Sequence, residues 1–188
     1  MKIHNFIFFT LFIFAVGCQK DSAFQEVKIN NQYALSLPKS LSPVDYLHED
    51  ASLQYQNLFT EFYTIVIDEP SKEFDKMIAE DYSLAEYYTP NLMGYANLLK
   101  DNLDAGIENA VFSELKKTTL NGNEALLLDV EGTVEGSEIY YQFAFIKGRS
   151  TYYQIVNWTE LKRKENHASD MEKIIASFRE LHKKKKTN

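Results

Sequence analysis

The chain has 188 residues, of which 20 are basic and 27 acidic, and its formal net charge is −7. This balance argues against a general nucleic-acid binder, which would carry a basic stripe. The basic cluster Lys183 to Lys186 is predicted to be a solvated tail over residues 183–188, with contact to anionic lipid as the alternative. The single cysteine excludes a disulfide within the chain.

The N-terminal residues have the pattern of an export signal. Lys2 and His4 precede an apolar run from Phe6 to Val16, after which the chain becomes polar. A transmembrane helix needs about 20 apolar residues, and this run is too short, which disfavours a retained anchor. A plain secretory signal cleaved after small residues is the other alternative.

The segment Ala15-Val16-Gly17-Cys18 resembles the cleavage site of bacterial lipoprotein signal peptides. The resemblance implies a signal peptide over residues 1–17, cleavage before Cys18, a diacylglyceryl group on its thiol and an acylated amine. The two chains of the diacylglyceryl group and the acyl chain on the amine together suffice for stable membrane anchoring. We therefore predict a domain held at a membrane through a polar tether over residues 18–28. Gln19, where inner-membrane lipoproteins commonly carry aspartate, favours the outer membrane by resemblance.

The tether contains a possible modification site. Asp21-Ser22-Ala23 resembles the O-glycosylation acceptor of Bacteroidetes-type bacteria, and the many Lys, Asn, Ile, Phe and Tyr residues suit such a source. Ser22 is therefore a candidate glycosylation site, and an unmodified tether is the alternative.

Short segments rich in β-formers predict the first strands. They are Val27 to Ile29, Tyr33 to Leu37, Leu53 to Asn57 and Phe62 to Ile67. Asn30 and Asn31 suit the turn between the first two, because asparagine tolerates positive φ. The last segment is almost wholly apolar, which predicts a central strand covered on both faces.

Two amphipathic helices are predicted next. Ser71 is a candidate N-cap for the first, and Phe74, Met77 and Ile78 share one face of it. Thr89-Pro90 is expected to begin the second, which should end by Gly106. The residues between them, Tyr82 to Tyr88, are predicted to form a packed connector.

Strict alternation then predicts an antiparallel meander of four strands. They are Val111 to Leu120, Glu124 to Val134, Glu138 to Ile146 and Thr151 to Trp158, joined by connectors that each contain glycine. In the third strand Tyr141, Phe143 and Phe145 share one face with Ile139. Tyr140, Ala144 and Ile146 share the other face, so both faces should need cover.

A closing helix is predicted from a capping box of Ser169 and Glu172. Its apolar stripe would consist of Met171, Ile174, Ile175, Phe178 and Leu181. The predicted fold class is therefore α+β, with a central antiparallel sheet between helical layers and a single domain over residues 29–182.

This arrangement resembles the PsbP-like fold of photosystem accessory proteins, a nuclear-import Ran-binding factor and DcrB-like bacterial lipoproteins. The resemblance rests on Tyr33 to Pro38, Leu53 to Asn57, the helical insertion, the meander ending in Tyr153 to Trp158, and the closing helix. It implies a non-catalytic domain that binds protein partners, with no active-site motif to carry over.

The residues themselves point to no chemistry, and we expect neither enzyme activity nor a cofactor. His48, His167 and His182 are far apart, and the sole cysteine is assigned to the anchor, which disfavours a zinc site. The acidic residues around Asp129 lack the glycine and glutamate positions of a calcium loop. No G-x-S-x-G nucleophile motif is present.

Two functions remain as leading hypotheses. The first is an accessory module that binds another envelope protein through exposed aromatic residues, with Tyr87, Tyr88, Tyr140 and Tyr152 as candidates. The second is a carrier of a small molecule or lipid in a cavity between sheet and helices, lined by Tyr and Phe. A hydrolase is the third and weakest.

Overall fold

The computed structural model describes residues 23–181, and its centre is an eight-stranded antiparallel sheet. Its strands are β3 (Ser42–Pro43), β4 (Ala51–Asn57), β5 (Phe62–Pro70), β6 (Glu108–Phe112), β7 (Lys116–Leu120), β8 (Asn123–Val134), β9 (Ser137–Lys147) and β10 (Thr151–Glu160). The spatial order is β3-β4-β5-β10-β9-β8-β6, and β7 also pairs with β8.

A second sheet and four helices complete the domain. The small sheet has the order β1-β2-β11, with β1 (Phe24–Ile29), β2 (Tyr33–Pro38) and β11 (Arg179–Glu180). The helices are α1 (Ser71–Glu80), α2 (Tyr82–Ala85), α3 (Leu92–Gly106) and α4 (Lys164–Ala176), the last preceded by a 3₁₀ turn over Leu161–Arg163.

The large sheet buries apolar side chains on both faces, as its alternation predicts. On the face of Tyr140, Ala144 and Ile146, here the α4 face, α4 and the small sheet form the cover. On the face of Phe143 and Phe145, here the α3 face, α1 and α3 supply the cover. The α+β class with a central antiparallel sheet is confirmed, and the layer over the α4 face contains strands as well as a helix.

The meander is confirmed from β8 to β10, and its first predicted strand is wrong in one respect. Residues predicted as one strand from Val111 to Leu120 form β6 and β7, which pair with different halves of β8. The break occurs where the Ser113 hydroxyl accepts a hydrogen bond from the Asp129 amide at 2.9 Å. When a side chain accepts a hydrogen bond from a backbone amide, it interrupts the strand pairing at that point. The alternation of apolar and polar residues in the sequence does not show such an interruption.

Both predicted caps of the inserted helices are wrong. Pro70 occupies the N-cap of α1 without a side-chain bond, and Ser71 is already the first helical residue. Asn91 caps α3, because its side-chain oxygen accepts from the amides of Met93 and Gly94 at 3.0 and 3.1 Å. The helix ends at Gly106 as predicted.

The capping box predicted for the closing helix is also wrong. The helix α4 starts at Lys164, directly after the 3₁₀ turn, so Ser169 and Glu172 lie inside it. It ends at Ala176. The predicted residues Met171, Ile174, Ile175 and Phe178 are buried, although Phe178 and Leu181 lie beyond the helix.

The ordered domain begins earlier than residue 29. Phe24 pairs with Pro38 at the start of β1, and the Ala23 carbonyl accepts from the Lys39 amide at 2.8 Å. The tether predicted over residues 18–28 is therefore wrong from residue 24 onward. Cys18, Ser22, the signal over residues 1–17 and the tail over residues 183–188 lie outside the described residues. Within residues 23–181 no helix combines the length and apolar character needed to span a membrane.

Candidate binding cleft

Helices cover the α3 face at one end only. There Tyr95 of α3 stacks on Tyr152 at 4.9 Å, and Phe74 of α1 meets Tyr95 edge-on at 5.2 Å. At the other end Tyr63, Tyr141 and Trp158 remain half-buried. The aromatic residues of this face are thus sealed at the α1 end and accessible at the Trp158 end.

An open cleft of about 440 Å³ occupies the accessible end. The sheet supplies its floor through Ile65, Tyr141, Phe143, Val156 and Trp158. The end of α3 forms one wall with Leu103, Gly106 and Ile107, and the loop before β4 forms another with Leu47 and His48. The lining is mainly apolar and aromatic, which is typical of binding sites.

The loop wall is fixed to the sheet by Gln54, a buried residue of β4. Its side-chain oxygen accepts from the amides of Leu47 and His48 at 2.7 and 3.0 Å. Its side-chain nitrogen donates to the His48 carbonyl at 2.9 Å. These three hydrogen bonds satisfy the buried side-chain amide of Gln54, and they hold the loop wall of the cleft in place.

An aromatic row begins in the floor of the cleft, with Tyr141, Phe143 and Trp158, and continues beyond the cleft to Tyr63. Trp158 lies opposite both Tyr63 and Tyr141 in the sheet, with ring centroids 5.0 and 6.3 Å away. Tyr141 stacks on Phe143 at 5.7 Å. Burial, followed by its hydrogen bond to Glu61, raises the pKa of Tyr63 to about 12, so this phenol is neutral at physiological pH. The row therefore offers an uncharged amphipathic surface.

A second cavity, of about 480 Å³, lies between β7, β8 and the end of α4. It is lined by the polar residues Asp129, Gln142 and Glu172 beside Leu127 and Ile175. Burial raises the pKa of Asp129, and this outweighs the opposing effect of nearby Lys164. The nearby Tyr140 phenol has a smaller effect that also opposes the rise in this pKa.

The surroundings of that cavity consist of structural polar contacts. Burial raises the pKa of Tyr140 to about 12, and its hydroxyl accepts from the Gln142 amide at 3.1 Å. Lys164 binds Glu131 at 2.7 Å and stands 4.4 Å from the centre of the Tyr140 ring. Across residues 23–181, no group of three or more His, Cys, Asp or Glu side chains could hold a metal ion.

His167 also has a packing role. Its ring stacks on Phe62 at 4.7 Å, and a ring nitrogen lies 3.0 Å from the Thr60 carbonyl. Burial is the main reason that its pKa is lowered. The neighbouring Ser169 lies inside α4 rather than at its cap.

The predicted contact residues are only partly exposed. Tyr87 is 74% exposed, and Tyr88 is half-buried with its hydroxyl donating to Asp101 at 2.8 Å. Tyr140 and Tyr152 are buried, so their assignment as exposed contacts is wrong. Each belongs to a tyrosine pair whose side chains lie on opposite sheet faces: Tyr152 and Tyr153 are both buried, and Tyr140 is buried while Tyr141 is half-buried.

The connector from Tyr82 to Tyr88 is likewise different from its prediction. It contains α2, and most of it is exposed rather than packed, with Tyr82 at 92% exposure. Sequence reasoning missed the exposed hairpin residues Leu58 and Phe59. The sequence feature that could have revealed them is an apolar pair in a predicted turn, where polar residues usually occur.

No protein-family model and no curated protein matches the chain. Among solved structures, cyanobacterial PsbP from Synechocystis is similar, at 15% identity and a TM-score of 0.59, over 92% of this chain and 99% of that one. The Saccharomyces cerevisiae Ran-binding protein Mog1p has 12% identity and a TM-score of 0.52, over 84% and 95%. LpqN, described as involved in cell envelope biogenesis of Mycobacterium tuberculosis, has 10% identity and a TM-score of 0.52, over 87% and 95%. At these identities the likeness concerns architecture, and the chain has the PsbP-like fold.

Proposed function

We propose that the protein is a non-catalytic lipoprotein of the bacterial cell envelope, held at the outer membrane through lipidated Cys18. In this proposal its cleft on the α3 face binds another envelope protein. The observation that carries the binding role is the aromatic row of Tyr63, Trp158 and Tyr141, which stays half-buried at the end of the α3 face that the helices leave open.

The physical properties of the cleft suit a protein partner. Tyrosine and tryptophan bury much area for little loss of side-chain entropy, and both are enriched among residues that dominate binding energy. The floor consists of strands in the middle of a sheet, and Gln54 fixes the loop wall by three hydrogen bonds. A rigid site loses little conformational freedom when it binds.

The known structures with this fold support the same kind of role. Mog1p is a Ran-binding protein, and LpqN is involved in cell envelope biogenesis. A bacterial envelope location for this chain rests on Ala15-Val16-Gly17-Cys18, and a Bacteroidetes-type source with glycosylated Ser22 rests on the short motif around that serine.

The non-catalytic part of the proposal rests on how the candidate groups are used. His167 packs against Phe62 and contacts a backbone carbonyl. The phenol near Asp129, that of Tyr140, has a raised pKa and is a poor proton donor at neutral pH. A nucleophile within hydrogen-bond reach of a base is the usual sign of covalent catalysis, and neither residue takes part in such a pair.

Gly106 offers a direct test of the cleft. It lines the wall, and a Cβ added there would meet nothing within 4 Å, so Gly106→Ala should be harmless. Gly106→Trp should instead fill the cleft. Crosslinking in intact cells is expected to recover one partner protein with wild type and Gly106→Ala, and to lose it with Gly106→Trp. Recovery of the same partner with Gly106→Trp would overturn the assignment of the cleft.

The anchor has its own test. The Cys18→Ser protein should leave the membrane fraction after a carbonate wash, because its acyl chains would be missing. Sedimentation of this variant with membranes would contradict the lipid anchor.

A carrier of a small apolar molecule is the second candidate, favoured by the volume of the cleft. About 440 Å³ lies within the range of ligand pockets, roughly 300–1,000 Å³. Native mass spectrometry of the chain from Gln19 distinguishes the two functions. A co-purifying mass present in wild type and absent in Gly106→Trp would show a carrier, whereas a bare mass in both supports the protein-binding role.

A further inference from the structure

Exposed apolar side chains gather around the hairpin that joins β4 to β5. Phe59 at its tip is 94% exposed, Leu58 is 57% exposed, and Tyr46 beside it is 66% exposed. Tyr46 belongs to this group because its hydroxyl contacts the Gln56 amide near the end of β4. An apolar pair at a hairpin tip is unusual, since turns favour polar residues and glycine.

The tip is held in a fixed shape with its apolar side chains outward. The side-chain oxygen of Asn57 accepts from the amides of Phe59 and Thr60 at 3.0 and 3.2 Å. The segment around the start of α4 supplies two more contacts: Arg163 donates to the Phe59 carbonyl at 3.4 Å, and His167 contacts the Thr60 carbonyl at 3.0 Å. The backbone is therefore tied to the domain, while the Phe59 ring remains in solvent.

The same tip lies beside the point where the described chain begins. The Asn57 side-chain nitrogen donates to the Ser40 carbonyl at 2.9 Å, and the adjacent Lys39 amide donates to the Ala23 carbonyl at 2.8 Å. These two hydrogen bonds connect the base of the hairpin to Ala23 through a single dipeptide. The hairpin and the N-terminal end of β1 thus belong to the same end of the domain.

The length of chain before Ala23 limits how far this end can be from an anchored Cys18. Five Cα-to-Cα steps separate the two residues, and a fully extended chain covers at most about 3.3–3.6 Å per residue. Ala23 would then lie within about 18 Å of the lipidated residue. A tether extending to residue 28 would have allowed about twice that distance.

We propose that the Leu58-Phe59 tip enters the interface of the same bilayer that holds Cys18, as a second contact that orients the domain. The inference rests on the lipid anchor of the proposed function. Phenylalanine and leucine are residues that interfacial segments insert at the boundary between headgroups and acyl chains. Tyr46, with its amphipathic ring, suits the level of the headgroups. Lys39, exposed beside the tip, can meet anionic headgroups.

The end of the domain that leads to the C-terminal tail fits this orientation. The Leu181 amide donates to the Gln32 carbonyl at 2.7 Å, at the start of β2, whereas Ala23 lies at the end of β2. The six residues of β2 separate the two points by about 20 Å. Leu181, the last described residue, thus lies at the end of β2 opposite to the one beside the hairpin tip.

The test uses the full lipidated chain in vesicles of phosphatidylethanolamine and phosphatidylglycerol. A Phe59→Cys variant is labelled with an environment-sensitive fluorophore, and Tyr82→Cys serves as the control, since Tyr82 is 92% exposed on α2. With a quencher attached to shallow lipid positions, label at residue 59 is expected to lose at least half of its emission. Label at residue 82 is expected to lose almost none. Leu58→Cys gives a second reporter on the same tip.

Equal emission at residues 59 and 82 on vesicle-bound protein, whether both quenched or both unquenched, would overturn the tip contact while leaving the anchor intact. Failure of the anchor has a different signature. The wild-type protein should float with the vesicles and take no thiol label, because Cys18 is its only cysteine. Label at Cys18, or protein that does not float, would overturn the lipid anchor and the tip contact with it.

Discussion

The two faces of the large sheet differ in what covers them. The α4 face has a helix and a three-stranded sheet above it, and residues such as Tyr33 and Phe178 are completely buried there. The α3 face has helices alone. The helix α3, with 15 residues, is about 22 Å long, whereas the 12-residue strand β8 extends about 40 Å. A helix and a small sheet together cover the α4 face, whereas α1 and α3 leave the Trp158 end of the other face accessible. The cleft is a consequence of that difference.

Both faces bury polar groups, and those on the α4 face form a row across the sheet. Thr64, Asn157, Gln142 and Asp129 lie opposite one another on four adjacent strands beneath α4. Thr64 donates to the Asn157 side-chain oxygen at 2.6 Å. Thr64 and Asn157 therefore satisfy each other beneath a complete cover, while the Gln142 side-chain oxygen has no partner among the described residues.

The largest effect is expected from removing a ring on the covered face. Phe178 is fully buried, 5.9 Å from the Tyr33 ring and 5.0 Å from the Tyr153 ring. Phe178→Ala should lower the free energy of unfolding by about 3–5 kcal/mol, measured by urea denaturation. The matched control is Phe59→Ala, which should change it by about 0.5 kcal/mol or less because that ring is exposed. Similar losses for both would show that the small sheet does not seal this face.

A glycine pair tests the packing of α3. A Cβ added at Gly94 would lie 1.8 Å from the Thr89 carbonyl oxygen, so the backbone would have to move. Gly94→Ala should cost about 3 kcal/mol in the same denaturation experiment, the upper end of the usual overpacking range. Gly106→Ala, at the other end of the helix, should cost nothing. A harmless Gly94→Ala would mean that the start of α3 is not packed closely.

Two buried threonines test the polar row. Thr64→Val removes the donor to Asn157 and leaves its oxygen unpaired, which should cost about 2 kcal/mol. The Thr159 hydroxyl is equally buried but has no partner among the described residues, so Thr159→Val should be neutral or stabilising. Equal losses would show that Thr159 also takes part in the bonded row.

The smallest effect concerns the pH dependence of stability at His167. Burial lowers its pKa below the usual 6.5, while Asp170 acts to raise it and Arg163 to lower it. The unfolded chain then binds a proton at a higher pH than the folded chain does. Stability should therefore fall as the pH drops below about 6.5. In His167→Gln the difference between the unfolding free energies at pH 7.5 and 5.5 should be smaller. An unchanged difference would contradict the lowered pKa.

Sequence patterns predicted the parts of the fold that depend on local alternation. The strands β8, β9 and β10, and the two-sided burial around Phe143 and Ala144, follow directly from period 2. The choice of Asn91 over the nearby Thr89 as the cap of α3 depends on how the helix approaches the preceding turn, which local patterns do not contain.

The sequence predicted which residue types line the cleft, but it did not predict where the cleft lies. Its tyrosines and phenylalanines were evident, but the position of the opening depends on the length of α3 relative to the sheet. The use of Gln54 to hold the loop wall depends on contacts across the domain. Tyr140 and Tyr152 were misassigned for the same reason, since burial of a strand residue is decided by what covers it.

The strand β11 has a consequence for how the chain reaches its final state. Arg179 and Glu180 pair with Ala34 and Tyr33, so nearly the last described residues close a sheet that the first ones began. Contacts of such wide sequence separation form late in folding. A chain still being synthesised lacks this strand, and one side of β2 remains an open edge able to pair with other strands. Completion of the small sheet thus protects this open edge only once Arg179 and Glu180 are available to pair.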